Sequence, residues 1–116
     1  MVTNDDSPEG GFWFSNLTYF KEVLETLTLD VKGKMDVIGG DNPAWELRLD
    51  AMDFGEAVFN LSDGRLQPTV RDDIGVLVKM LKQLPEVSYQ GNAAKALGQP
   101  QWDTIKSLAQ ALLARI

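Results

Sequence analysis

Residues 29–67, LDVKGKMDVIGGDNPAWELRLDAMDFGEAVFNLSDGRLQ, decide how this chain is read. Leu29, Val31, Gly33, Met35 and Val37 alternate with Asp30, Lys32, Lys34 and Asp36. After Gly39-Gly40-Asp41-Asn42-Pro43, the residues Trp45, Leu47, Leu49 and Ala51 alternate with Glu46, Arg48 and Asp50. A period of two predicts strands with one apolar and one wet face. Asp53-Phe54-Gly55 then reads as a three-residue hairpin that leads into Ala57, Phe59 and Leu61. Asp63-Gly64 reads as a two-residue hairpin before a short strand, Arg65 to Gln67, which Pro68 ends or confines to an edge. The stretch therefore predicts a four-stranded antiparallel meander. Lys34 facing Asp50 and Asp36 facing Arg48 is its charge-complementary register.

On either side the period lengthens. Leu17, Phe20, Val23, Leu24 and Leu27 recur at helical spacing behind a cap at Ser15 or Asn16, which predicts a helix over about residues 17–26. Thr69 with Asp72 resembles a capping box, and Ile74, Leu77, Val78, Leu81 and Leu84 follow on one helical face up to Pro85. Asn92 caps a short turn through Leu97. Pro100 opens a last helix carrying Ile105, Leu108, Ala109, Leu112 and Ile116. The whole predicts a two-layer α+β fold, with an N-terminal helix and two to three C-terminal helices covering one face of the sheet. Residues 1–11, polar and broken by Pro8 and two glycines, read as a flexible acidic tail, and 12–116 as one α+β domain.

Composition narrows the chemistry. The 116 residues hold no His and no Cys, so the usual imidazole and thiolate chemistries for zinc or proton shuttling fall away, and no metal or cofactor site is expected. The oxygen-rich turns at Asp36, Asp41 and Asn42 and at Asn60, Ser62 and Asp63 lack the alternating ligands of a calcium loop. Gly39-Gly40 reads as a hairpin and not as a phosphate cradle, since it follows an expected strand, opens no helix and lacks the lysine. No apolar run approaches the roughly 20 residues of a membrane span, and the first residues lack the basic and apolar order of a secretory signal. A cytoplasmic protein without membrane contact is the expectation.

The formal charge of −6 is unevenly placed: residues 36–73 carry nine acids against three bases, whereas 74–116 carry two acids against five bases. A phosphate backbone repels such a chain, so no nucleic-acid partner is expected. On the expected sheet Glu46, Asp50 and Glu56 point outward, and Asp53 sits in the turn that joins their strands. Clustered like charge of this kind steers a basic partner, or simply keeps a small protein dissolved. Phe12-Trp13-Phe14 adds aromatic surface, since an extended segment cannot turn all three residues inward. Trp13 joins Glu46, Asp50, Asp53 and Glu56 as a candidate partner contact.

These readings point to a small acidic binding protein without catalytic function, most concretely an inhibitor or immunity-type protein that masks a basic surface of another protein, as monomer or homodimer. An acidic dimeric chaperone or adaptor is the alternative. A carboxylate-based enzyme is the remote one, because no spacing motif holds two carboxyls at a working separation.

Overall fold

A computed structural model describes the backbone from Pro8 and the side chains from Gly11 to Ile116. Among the described residues six α-helices follow one another: α1 (Pro8–Leu27), α2 (Val31–Ile38), α3 (Pro43–Asn60), α4 (Pro68–Lys82), α5 (Ala93–Leu97) and α6 (Gln101–Leu113). A single 3-10 turn, Glu86–Ser88, lies between α4 and α5. Among the described residues there is no strand.

The α+β fold with a four-stranded meander is therefore overturned, and local physics explains how. At Asp30 the side chain accepts a hydrogen bond from the amide of Gly33 at 2.7 Å, which caps α2 where a strand was expected. Asn42 does the same for Trp45 at 3.2 Å, with Pro43 fixing the backbone of the first turn of α3. Asp53-Phe54-Gly55 is no hairpin but the middle of α3. The expected Lys34–Asp50 and Asp36–Arg48 pairs have no sheet in which to form. Asp63-Gly64 does turn the chain, with φ of 41° and 80°, yet it joins two helices. Pro68 begins α4 instead of ending a strand, and no side chain caps that start, so the expected Thr69 box is absent.

Four helices carry the core. α3 packs on α1 and α4, and α6 closes the ring by packing on the same two. Trp13, Leu17, Phe20, Leu24 and Leu27 from α1 meet Ala44, Leu47, Ala51 and Val58 from α3. Ile74, Leu77 and Leu81 from α4, with Trp102, Ile105, Ala109 and Leu112 from α6, complete the interior. The small residues of α3 set its closeness to its neighbours. A Cβ placed on Gly55 would lie 2.8 Å from a methyl of Val78 and 3.2 Å from the ring of Phe20. The α2 helix packs chiefly against α3 and α5.

Residues 1–7 of the expected tail lie outside the described residues. Pro8 to Gly11, assigned to the same tail, open α1, so that helix starts well before Leu17. Ser15 and Asn16, expected to cap the helix, lie inside it. The apolar faces hold in place: Leu17, Phe20, Leu24 and Leu27 are buried with Val23 partly covered, and Ile74, Leu77, Val78, Leu81 and Leu84 are buried. Asn92 accepts from the amide of Lys95 at 3.0 Å and caps α5 as expected.

Candidate partner-binding face

Three of the expected partner contacts come together on α3, although by a different geometry from the one expected. Glu46, Asp50 and Asp53 stand at spacings of four and three, so a helix brings them onto one stripe. That stripe lies about a third of a turn around the helix from the buried set Leu47, Ala51 and Val58, and all three acids are exposed. Among the described residues none of the three makes an ion pair or side-chain hydrogen bond.

The electrostatic consequence is visible at the middle position. Partial loss of water, and then the neighbouring carboxylates of Glu46 and Asp53, raise the carboxyl of Asp50 above its ordinary value of 3.8. Like charges one helical turn apart oppose helix stability. The stripe is thus held against its own repulsion.

Beside it, Trp45 in the first turn of α3 keeps 43% of its surface in solvent. Leu49, expected inside the core, is only partly covered and sits one turn along from Trp45 on α3. An indole on the same helix as a row of exposed carboxylates is a surface that complements apolar groups set among cations.

Glu56 does not join the stripe. It makes an ion pair with Lys82 of α4, at the edge of a groove floored by Phe59, Gly75 and Val78. Trp13 is fully buried, and its indole nitrogen donates to the carbonyl of Val58 at 2.9 Å. In the folded chain Trp13 offers no surface to a partner; of its aromatic block, Phe12 is the exposed member at 58%.

Glu46, Asp50 and Asp53 line none of the four grooves described, and the groove with the largest volume, about 650 Å³, lies instead over the α3–α4 loop. No group of three or more acidic side chains that could hold a metal ion occurs among the described residues. No described helix is long and apolar enough to cross a membrane.

Sequence reasoning missed Trp45 as a surface residue and Lys34 as a buried one. Pro43-Ala44-Trp45 directly after Asn42 is a helix-start signal that places position 45 on the first turn, away from the Ala44–Leu47 side. Comparison with protein families, with curated proteins and with solved structures found no match.

Proposed function

We propose that this protein is a small acidic binding module whose α3 face docks a basic surface of another protein, in the manner of an inhibitor or immunity-type protein. The observation that carries the reading is the unpaired Glu46–Asp50–Asp53 stripe beside the exposed Trp45. A surface that only served solubility would gain by interspersing the two signs of charge. Here three acids stand unpaired on one helix face, and a cationic partner would relieve the repulsion among them. Masking of this kind needs a rigid charged face and no catalytic group, which suits a chain without His or Cys.

One feature favours the adaptor reading instead. Tyr19, half exposed on α1, stacks on Phe54 of α3 with ring centroids 5.4 Å apart, and Phe12 stands two turns before it on α1. An adaptor would use that aromatic side, and an inhibitor the acidic one.

The two are separated by parallel affinity capture from extract of the source cells. The baits are the parent chain, the triple variant Glu46→Lys, Asp50→Lys, Asp53→Lys, and the double variant Phe12→Ser, Tyr19→Ser. The docking reading expects basic proteins held by the parent, released as salt rises toward half-molar, and lost from the triple variant alone. Identical capture by parent and folded triple variant would overturn it, and loss confined to the double variant would establish the adaptor.

A further inference from the structure

Where the α3–α4 loop meets α1 and the end of α6, Leu17, Leu66 and Val70 line a groove of about 230 Å³. Three basic side chains share its lining: Lys21 of α1, Arg65 of the loop and Arg115 just past α6. Among the described residues no acid lines it, although the chain carries a formal charge of −6. An acidic protein that gathers three of its eleven bases around one apolar floor concentrates positive potential there.

The three cations differ in what holds them. Arg115 donates to the hydroxyl of Thr69 at 2.9 Å and pairs with the carboxylate of Asp73. Arg65 donates to the carbonyl of Leu61 at 3.2 Å, and its guanidinium lies 5.7 Å from the centre of the Trp13 ring. Both arginines are thereby positioned as walls. Lys21 is partly buried and makes no hydrogen bond or ion pair among the described residues. An ammonium partly withdrawn from water beside apolar side chains gains more from an anion than a fully hydrated one does.

The lining selects the ligand. Inorganic phosphate would leave Leu17, Leu66 and Val70 uncovered, and a neutral hydrophobe would leave Lys21 without a partner. One unpartnered ammonium calls for one negative charge. The volume of about 230 Å³ falls below the roughly 300–1,000 Å³ of pockets for drug-sized ligands, so the ligand is small.

We propose that this groove binds a small amphipathic monocarboxylate, with a short acyl chain on the floor of Leu17, Leu66 and Val70 and the carboxylate on Lys21. Glu46, Asp50 and Asp53 do not line it, so the site stands apart from the acidic docking face and does not depend on that reading.

The test is a titration of the 15N-labelled chain, followed through its amide shifts, with octanoate below its micelle-forming concentration and in parallel with octanol and with acetate. Octanoate should move the amides of Leu17, Lys21, Leu66 and Val70. It should bind at least about tenfold more tightly than either control, the ratio equivalent to about 1.4 kcal/mol. Lys21→Gln should lose the advantage over octanol and Lys21→Arg should keep it, both with the circular dichroism of the parent. Octanol binding as tightly as octanoate would overturn the proposal, as would an octanoate affinity unchanged in the folded Lys21→Gln variant. Acetate binding as tightly as octanoate, or shifts confined to amides away from the groove, would overturn it too.

Discussion

Arg48 and Arg71 cap each other's helices. From α3, Arg48 donates to the carbonyl of Leu81 in the last turn of α4 at 2.9 Å and lies 4.2 Å from the ring centre of Tyr89. From α4, Arg71 donates to the carbonyl of Phe59 in the last turn of α3 at 3.2 Å and to the hydroxyl of Ser62 at 3.0 Å. Each guanidinium meets a carbonyl in the last turn of a helix, at the negative end of the helix dipole, where it joins the amide of Leu84 on Leu81 and the hydroxyl of Ser62 on Phe59. The pair fixes the antiparallel α3–α4 hairpin from both ends, and so holds the acidic stripe in place.

Arg48→Met and Arg71→Met should each lower stability by about 1.5–3 kcal/mol, since each removes a charge-assisted hydrogen bond from a partly buried carbonyl. The two sites lie at opposite ends of the hairpin, so the double variant should be close to additive. Urea denaturation midpoints of the four proteins check this. A strongly sub-additive double variant would mean that the caps act as one unit.

Leu47 and Leu49 separate the helix from the strand that their alternation suggests. Leu47 is fully buried and Leu49 partly exposed. Leu47→Ala should cost about 2–5 kcal/mol, and Leu49→Ala under about 1 kcal/mol. On a strand the two positions would share a face and cost alike. Thermal unfolding of the two variants distinguishes these outcomes.

Glycine substitutions probe how closely α3 approaches its neighbours. Gly55→Ala gains helix propensity of about 1 kcal/mol but presses a methyl onto Val78 and Phe20, and overpacking at about 1–3 kcal/mol should leave the variant less stable than the parent. Gly11→Ala, with no neighbouring atom within 4 Å of the new methyl, should gain up to about 1 kcal/mol. Opposite shifts in the denaturation midpoint are expected.

The pH dependence has a definite sign at two places. Lys34 has a folded-state pKa below its unfolded value of 10.5, so between the two the unfolded chain binds more protons and the contribution of this residue to stability rises with pH. Lys34→Met should abolish that alkaline rise and stabilise the protein at neutral pH by about 1–2 kcal/mol, the cost of burying the charge less its contact with the Trp102 ring. Asp50 is shifted upward, so its unfavourable contribution is absent below pH 3.8 and sets in as pH climbs through the raised value. Asp50→Asn should therefore raise the midpoint at pH 7 and leave it unchanged at pH 3. Stability measured across pH for the three proteins provides the check.

The sequence made α1, α4 and α6 legible because large apolar residues recur there at one spacing only: Ile74, Leu77, Leu81 fit no strand. Between Leu29 and Leu61 two periods compete. Leu47, Leu49 and Ala51 satisfy a period of two, while Ala44, Leu47, Ala51, Gly55 and Val58 satisfy the helical one. The winning set is built from small residues, whose value lies in close helix approach and which carry little weight as apolar anchors. A readable signal did exist. From Pro43 to Asn60 the only β-branched residue is Val58, and Asp30 and Asn42-Pro43 are helix starts. The acids of the candidate site were legible as a charge surplus. Their grouping was not, because Asp53 joins Glu46 and Asp50, and Glu56 leaves them, only when the residues between are wound into a helix.

That winding is the premise of the acidic docking face, and the 13C secondary chemical shifts of residues 43–60 with sequential amide NOEs measure it directly. Unbroken helical shifts across Asp53, Phe54 and Gly55, with slow amide exchange at Leu47, Ala51 and Val58, are the result expected of one continuous α3 carrying Glu46, Asp50 and Asp53 on its outer side. Extended shifts on both sides of a turn at Asp53-Phe54-Gly55, with cross-strand NOEs between Lys34 and Asp50, would contradict it.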